Sequence, residues 1–293
     1  MAPIRFCLGP AGLPVTRSLS DAAKFVDYCR RVEDAGFYCI GFGDHLDDRP
    51  APVAAIAAAA AHTTTLRVGV LVLCNEFRNH ALIAQEARTL QVLSGGRVEF
   101  GLGVGWMARD FETAGIEHRP FTERLDRLRV TVAAIRAAFV PDRDLSCPPL
   151  VIGGGGPKML QAAAELADIV TINIPLLAGA SVAANTVAKV GEEHVVRNRI
   201  QLVRITSPTV ELQMNIHDVY VGDDWQSFAR QRASDLGMTE ASFLRSPHVL
   251  VGSVPLVVDT LRERSETLDA YYWSMTGAAL EMMRPVVAAL ARA

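Results

Sequence analysis

A chain of 293 residues, half of them hydrophobic, can bury the core of one large domain. Its formal net charge is −3, with basic and acidic residues interspersed, and no nucleic-acid motif occurs, which excludes a nucleic-acid-binding face. Five cysteines without a C-x-x-C spacing suit a reducing cytosol, the first residues lack the pattern of a signal peptide, and the longest apolar run, Val53 to Ala61, is too short to span a membrane. The expectation is a cytoplasmic protein with no membrane partner.

The elements follow a steady rhythm. Ile4 to Gly9 reads as a short apolar strand. Ser18 or Ser20 can cap a helix running to about Ala35, with Ala22, Phe25, Val26, Cys29 and Val32 at helical spacing. Phe37 to Phe42 reads as a doubly buried strand and stops at Gly43-Asp44-His45. Pro52 to His62 is a helix, Arg67 to Leu73 a third strand, and Asn79 caps a helix to Leu93 that Ser94-Gly95-Gly96 stops. Val98 to Val104 is a fourth strand, and Thr122 caps a helix to Phe139. Leu150 to Gly154, Asp168 to Asn173, Leu212 to Val221 and Tyr271 to Met275 supply strands five to eight. Helices near Asp224 to Leu236, Pro255 to Leu268 and Ala279 to Ala291 complete the set. Apolar strands alternating with helices at about 30-residue intervals predict a parallel sheet with helices outside it. Eight such units close as a (β/α)8 TIM barrel, so the whole chain, 1–293, is read as a single α/β domain. Gly105 to Pro120 and Leu176 to Pro208 are long for connections, and long loops are commonly functional.

Leu150 to Leu160 is the most informative stretch. An apolar strand runs into Gly153, Gly154, Gly155 and Gly156, and Pro157 then opens an alanine-rich helix through Lys158 and Met159. Glycine permits close backbone approach, the first helical N–H groups are free, and Lys158 adds a positive charge, so the loop suits a phosphate. A tight turn with no ligand is the competing reading. Neither the Walker pattern nor G-x-G-x-x-G fits.

In an α/β barrel the active site lies at the C-terminal ends of the strands. That rule selects Asp44 and His45 after strand two, Cys74, Asn75 and Glu76 after strand three, Gly105 and Trp106 after strand four, Asn173 after strand six, and Trp273 and Ser274 at strand eight. His45 is the acid/base candidate, because imidazole titrates near neutral pH. Asp44 would project to the opposite side of a regular strand, so that one of the two faces the ligand while the other braces the loop. Trp106 could stack on a flat ring or plug the barrel top. Arg78, Arg97, Arg109 and Arg119 read as solvated. No His spacing supports a metal site, and Cys74 has no evident partner base.

The ordered motifs resemble the luciferase-like monooxygenase superfamily over nearly the whole chain. They are E-x-A-G-F at Glu33 to Phe37, Asp44-His45, R-V-G-V-L-V-L at Arg67 to Leu73, and the run from Arg78 to Arg97 ending in S-G-G-R. F-G-L-G-V-G-W at Phe100 to Trp106, G-G-G-G-P-K-M-L at Gly153 to Leu160, and S-P-H-V-L-V-G-S at Ser246 to Ser253 complete the series. The resemblance implies an α/β barrel that uses coenzyme F420 or FMN. It implies His45 as a ring-proximal acid/base next to Asp44, a non-proline cis peptide in a bulge at Leu73-Cys74-Asn75, and Gly153 to Lys158 as the cofactor phosphate cradle, with Met159 counted among the cofactor-binding residues. Gly105 and Trp106 are expected beside the ring, and the Leu176 to Pro208 insertion over the substrate. His80 stands where the family usually has proline. The loop Trp106-Met107-Ala108-Arg109 lacks the catalytic acid of the sugar-phosphate dehydrogenase branch, so that activity is not carried over.

The leading expectation is an F420-dependent oxidoreductase acting on a small-molecule substrate, with hydride transfer as the reaction. An FMN-dependent monooxygenase is the alternative. A non-catalytic flavin-binding protein is the reading from another class. An apolar external helix pair would suit a homodimer.

Overall fold

The computed structural model describes residues 2–9, 19, 21–140, 144–174 and 191–292. Strands β1 (Arg5–Leu8), β2 (Cys39–Phe42), β3 (Arg67–Cys74), β4 (Val98–Gly103), β5 (Leu150–Gly154), β6 (Ile169–Ile172), β7 (Glu211–Asn215) and β10 (Tyr272–Met275) close into a barrel in the order β1-β10-β7-β6-β5-β4-β3-β2. Every neighbouring pair is parallel. The expected eight-stranded barrel is therefore the observed one.

Punctuation in the sequence sets several helix ends. Helix α2 (Pro52–His62) begins on its proline. Helix α3 (His80–Leu93) is capped by Asn79, whose side chain accepts from the Ala81 N–H at 2.8 Å, and it ends where Gly95 and Gly96 turn to positive φ. Helix α5 (Phe121–Phe139) starts earlier than expected. Pro120 is its N-cap, and Thr122 lies inside the first turn without a cap hydrogen bond. The proposed caps Ser18 and Ser20 of α1 (Asp21–Asp34) lie outside the described residues.

The expected seventh strand is two strands. The chain leaves the barrel after Asn215, where the Ile216 N–H donates to the Ser274 carbonyl and the His217 N–H to the His248 carbonyl. Strand β8 (Asp218–Val221) then pairs with β9 (Val249–Gly252) in a separate two-stranded sheet. Alternating apolar residues run through the break, so periodicity could not mark it. This sheet, with α8 (Trp225–Asp235) and α9 (Glu240–Arg245), carries its own small core around Phe243, Ala229 and Val251. Between β6 and β7 the long insertion includes helix α7 (Glu193–Thr206), and its residues 176–190 lie outside the described ones.

The core lies between barrel and helices. Ile40, Phe42, Val68, Val70, Phe100, Leu102, Leu150 and Ile152 point outward from four neighbouring strands and are fully buried. Inside, the barrel floor is polar. Glu99 accepts from Tyr272 Oη at 2.6 Å and Arg67 Nε at 3.2 Å, and Arg5 lies 4.5 Å over the Tyr38 ring and pairs with Glu211. Burial pushes the Glu99 carboxyl above the usual carboxylate range. With the floor filled, the C-terminal mouth is the open end.

Candidate active site

Glycines on the inside of the barrel make room for two larger side chains. Gly41, Gly69, Gly101 and Gly103 occupy inward positions on β2, β3 and β4, and Leu71 and Val72 fill the space their missing side chains leave. A Cβ on Gly41 would stand 2.6 Å from Leu71 Cδ1, and one on Gly103 would stand 2.8 Å from Val72 Cγ2. Two consecutive residues can face inward because β3 is bulged, with its register shifting between Val70 and Leu73. The cis peptide lies within this bulge, between Leu71 and Val72, not in Leu73-Cys74-Asn75 as expected. The shift also reverses side-chain parity along the rest of β3. Leu73 is fully buried in the core toward the helices, so Leu71 and Val72 line the mouth in its place.

Asp44 and His45 have different partners. Asp44 is 6% exposed and its carboxylate accepts from the Cys74 N–H at 3.0 Å and from Arg78 Nη1 at 2.6 Å. It ties the end of β2 to the end of β3. His45 turns the other way and meets Asp110, whose Oδ2 lies 2.7 Å from His45 Nδ1 and whose Oδ1 accepts from the Leu46 N–H at 3.3 Å. A carboxylate only accepts, so Nδ1 carries the proton and Nε2 is left to exchange one. Trp106 stands edge-on to the imidazole, with ring centroids 5.9 Å apart.

Asp110 was not visible as a site residue in the sequence. It sits in a short helix, α4 (Ala108–Ala114), within the loop that reads as merely long. Gly105 adopts φ +74, and a Cβ there would meet Cys74 Sγ at 2.7 Å and Phe111 Cζ at 2.8 Å. Arg124 fastens the same loop by donating to the carbonyls of Val104 at 2.7 Å, Arg119 at 2.9 Å, and Gly105.

The other candidates separate. Asn75 is buried, its Nδ2 donates to Glu76 Oε1 at 3.1 Å, and its Oδ1 has no partner. Glu76 is held by Arg127 at 3.0 Å and Arg119 at 3.6 Å, away from any ligand role. Burial pushes the Cys74 thiol up to about 12, which leaves it a poor nucleophile. Trp273 faces the helices, where its Nε1 donates to Ser265 Oγ at 3.1 Å, whereas Ser274 faces the mouth and donates to Asn215 Oδ1 at 3.2 Å. Three of the four arginines read as solvated are engaged: Arg78 with Asp44, Arg119 with Glu76, and Arg97 with the Ala60 and Leu66 carbonyls, each at 2.7 Å. Arg109 is exposed.

On β5 the glycine loop is built for close approach. Gly156 precedes α6 (Pro157–Leu166), with Pro157 in its first turn. A Cβ on Gly154 would stand 2.6 Å from Met159 Cγ, so Met159 packs over the loop from behind. Among the described residues, a Cβ on Gly156 would meet nothing within 4 Å before the helix N-terminus. Lys158 is exposed on the first turn.

A barrel with its histidine at the β2 end and its glycine loop after β5 defines the class, and the chain belongs to the luciferase-like monooxygenase family, whose model matches residues 4–210. It is 30% identical over 169 residues to an F420-dependent glucose-6-phosphate dehydrogenase of Amycolatopsis mediterranei, covering 49% of this chain and 51% of that protein. The chain spans about half the length of the curated relatives it matches. The structure of a coenzyme F420-dependent tetrahydromethanopterin reductase from Methanopyrus kandleri is similar at a TM-score of 0.67 and 16% identity, covering 98% of each chain. An EDTA monooxygenase from Chelativorans sp. BNC1 is similar at 0.71 and 12% identity, covering 99% of this chain and 94% of that one. These two likenesses are likenesses of fold.

Proposed function

We propose that the chain is an oxidoreductase of the family's deazaflavin branch, moving a hydride between coenzyme F420 and a small organic substrate. The observation that carries this reading is His45, held by Asp110 at 2.7 Å at the end of β2, beside a barrel mouth that Leu71 and Val72 line. The residues present fit such a cofactor: the open space at Gly156 before a helix N-terminus suits its phosphate, and the unpartnered Asn75 Oδ1 is a buried acceptor beside the mouth. Gly153, Gly154, Gly155, Gly156, Pro157 and Lys158 would hold the phosphate, while Asp44, His45, Cys74, Asn75, Gly105 and Trp106 would surround the ring. The bound cofactor supplies the hydride chemistry. His45 moves a proton at Nε2, Asp110 fixes the imidazole's tautomer, and Asp44 fixes the strand end that the ring would lie against.

FMN is the second reading, since its phosphate would meet the same loop, and the EDTA monooxygenase shares the fold. Anaerobic incubation with oxidised F420 and a panel of small alcohols, beside an aerobic assay with reduced FMN, separates the readings. Reduction of F420 by at least one alcohol is the expected result. Oxygen uptake with reduced FMN and no F420 reduction would overturn it, and binding without either turnover would identify a non-catalytic flavin-binding protein.

A homodimer is part of the same proposal. Helices α2 and α3 present an apolar groove of about 430 Å³ lined by Ala54, Ala57, Leu90 and Leu93, with Leu82, Val92 and Leu93 exposed along α3. A second copy covering it would remove that apolar surface from water. No helix among the described residues is long and apolar enough to cross a membrane.

A further inference from the structure

Across the mouth from β2, strands β6, β7 and β10 carry a wall of uncharged polar side chains. Thr171 and Gln213 are register partners, and so are Asn215 and Ser274 one step nearer the rim. Thr171 donates to Gln213 Oε1 at 2.7 Å. Asn173 Oδ1 accepts three donors: the Ile174 N–H at 2.8 Å, Asn215 Nδ2 at 3.2 Å and His217 Nε2 at 3.0 Å. Polar groups on inward faces of barrel strands are costly unless satisfied, and here the acceptors are satisfied while donors are left over. Gln213 is 2% exposed and its Nε2 has no partner among the described residues. The Asn173 Nδ2 also has none among the described residues, and Asn173, Asn215 and Ser274 are only half-buried. Gly153, the partner of Thr171 on β5, has no side chain, so the wall opens directly toward the glycine loop.

We propose that Asn173 and Gln213, held by Thr171, Asn215 and Ser274, form a subsite for an uncharged oxygen acceptor, a ketone or a ring carbonyl. This rests on the reading that the barrel mouth is the active site. None of these five side chains carries a charge. His217 at the rim stays neutral as well, because burial holds its imidazole below the ordinary histidine range. A phosphorylated or carboxylate group placed here would lose its water and find no counter-charge. The donor count instead matches a neutral carbonyl with two lone pairs, whether on the substrate or on the pyrimidinedione edge of a flavin-type ring.

Asn173→Asp is the discriminating variant. It keeps an oxygen for the Ile174, Asn215 and His217 donors and replaces the free N–H group with a second, acceptor-only oxygen that also carries charge, so its folding is checked by thermal unfolding before titration. Gln213→Met removes the second donor at similar volume, with thermal unfolding as the check on the fold. Two titrations are made on each folded variant: F420 and FMN by fluorescence quenching, and the neutral ketone cyclohexanone by saturation-transfer NMR, with and without cofactor. The expected result is a loss of roughly tenfold or more in one of the two affinities, the usual scale for an unmade hydrogen bond. Loss confined to cyclohexanone assigns the subsite to substrate, and loss confined to the cofactors assigns it to the ring. Unchanged affinities for both would overturn the subsite while the cofactor reading stands. If wild type binds neither F420 nor FMN, the cofactor reading fails, and the cyclohexanone titration alone still decides the subsite; no ketone binding then overturns it too.

Discussion

His45 and Asp110 are 65 positions apart in the chain and 2.7 Å apart in the fold. Asp110 is 5% exposed and spends its second oxygen on the Leu46 N–H, so it fixes both the imidazole and the backbone next to it. Asp110 is therefore a positioning residue. His45→Ala is predicted to lower kcat by roughly 10²–10⁴-fold, the range for a lost general acid or base. Asp110→Asn should lower kcat by less, roughly 10-fold or more, because the imidazole stays but its tautomer is no longer enforced. Cofactor affinity should change little in either variant, since the glycine loop lies on another strand. A shared loss of cofactor affinity with unchanged kcat in the bound fraction would assign both residues a purely structural role.

Asp44→Ala should act on stability first. The carboxylate is nearly buried between the Cys74 N–H and Arg78, so its removal strands the backbone donor and leaves Arg78 only Glu86, at 3.8 Å. Breaking such a pair costs roughly 3–5 kcal/mol. Urea unfolding of the variant measures the loss, and an unchanged midpoint would mean the two strand ends are held by packing alone.

Acid stability should report on Glu33 in the E-x-A-G-F motif. Burial works against its charged form, but the N–H groups of Thr65, Leu66 and Thr64, at 2.6, 2.9 and 2.8 Å, outweigh it and bring the carboxyl down to about 2. A carboxyl lowered by folding contributes stability that is complete above its unfolded value of 4.5 and is lost as pH falls toward about 2. Glu33→Gln should lower stability at neutral pH and flatten its dependence across that window. Parallel wild-type and variant curves, followed by circular dichroism, would remove Glu33 from the acid transition.

The groove between α2 and α3 gives a prediction about assembly. Leu93 is 65% exposed at its edge. Leu93→Asp should convert a dimer to a monomer in sedimentation velocity without lowering the thermal midpoint of the subunit. A wild-type monomer at working concentration would contradict the assignment of this face.

Much of the barrel was legible because strands and helices carry local marks. Pro52, Asn79 and the pair Gly95-Gly96 punctuate α2 and α3 where chemistry requires a start, a cap or a positive φ. The glycines at the end of β5 marked their loop for a different reason, the close packing that a missing Cβ permits, as at Gly154 against Met159. The features that sequence did not reveal depend on distant partners. The break after Asn215 is made by the His248 carbonyl, which no local periodicity encodes. Asp110 looks like one more charge in a polar loop until α4 brings it to His45. The bulge in β3 moved the inward positions from Leu73 to Leu71 and Val72, because a single extra residue reverses side-chain parity. The polar wall does carry a local signal. Thr171 and Asn173, and likewise Gln213 and Asn215, are polar at alternate positions of otherwise apolar strands.

The most direct test of the cofactor assignment is the glycine loop. Gly156 has φ −90, so it does not need glycine for its backbone, and a Cβ there meets nothing within 4 Å among the described residues. Gly154 is a poorer probe, because its Cβ would strike Met159. Gly156→Val should therefore leave the fold intact and fill the space before the first helical N–H groups. Titration of wild type and Gly156→Val with oxidised F420 and with FMN, by fluorescence quenching, decides the matter. The account predicts that wild type binds F420 and that the variant loses roughly 1–3 kcal/mol of that affinity at an unchanged melting temperature. Equal F420 affinity in the two proteins, or FMN binding with no F420 binding in wild type, would contradict it.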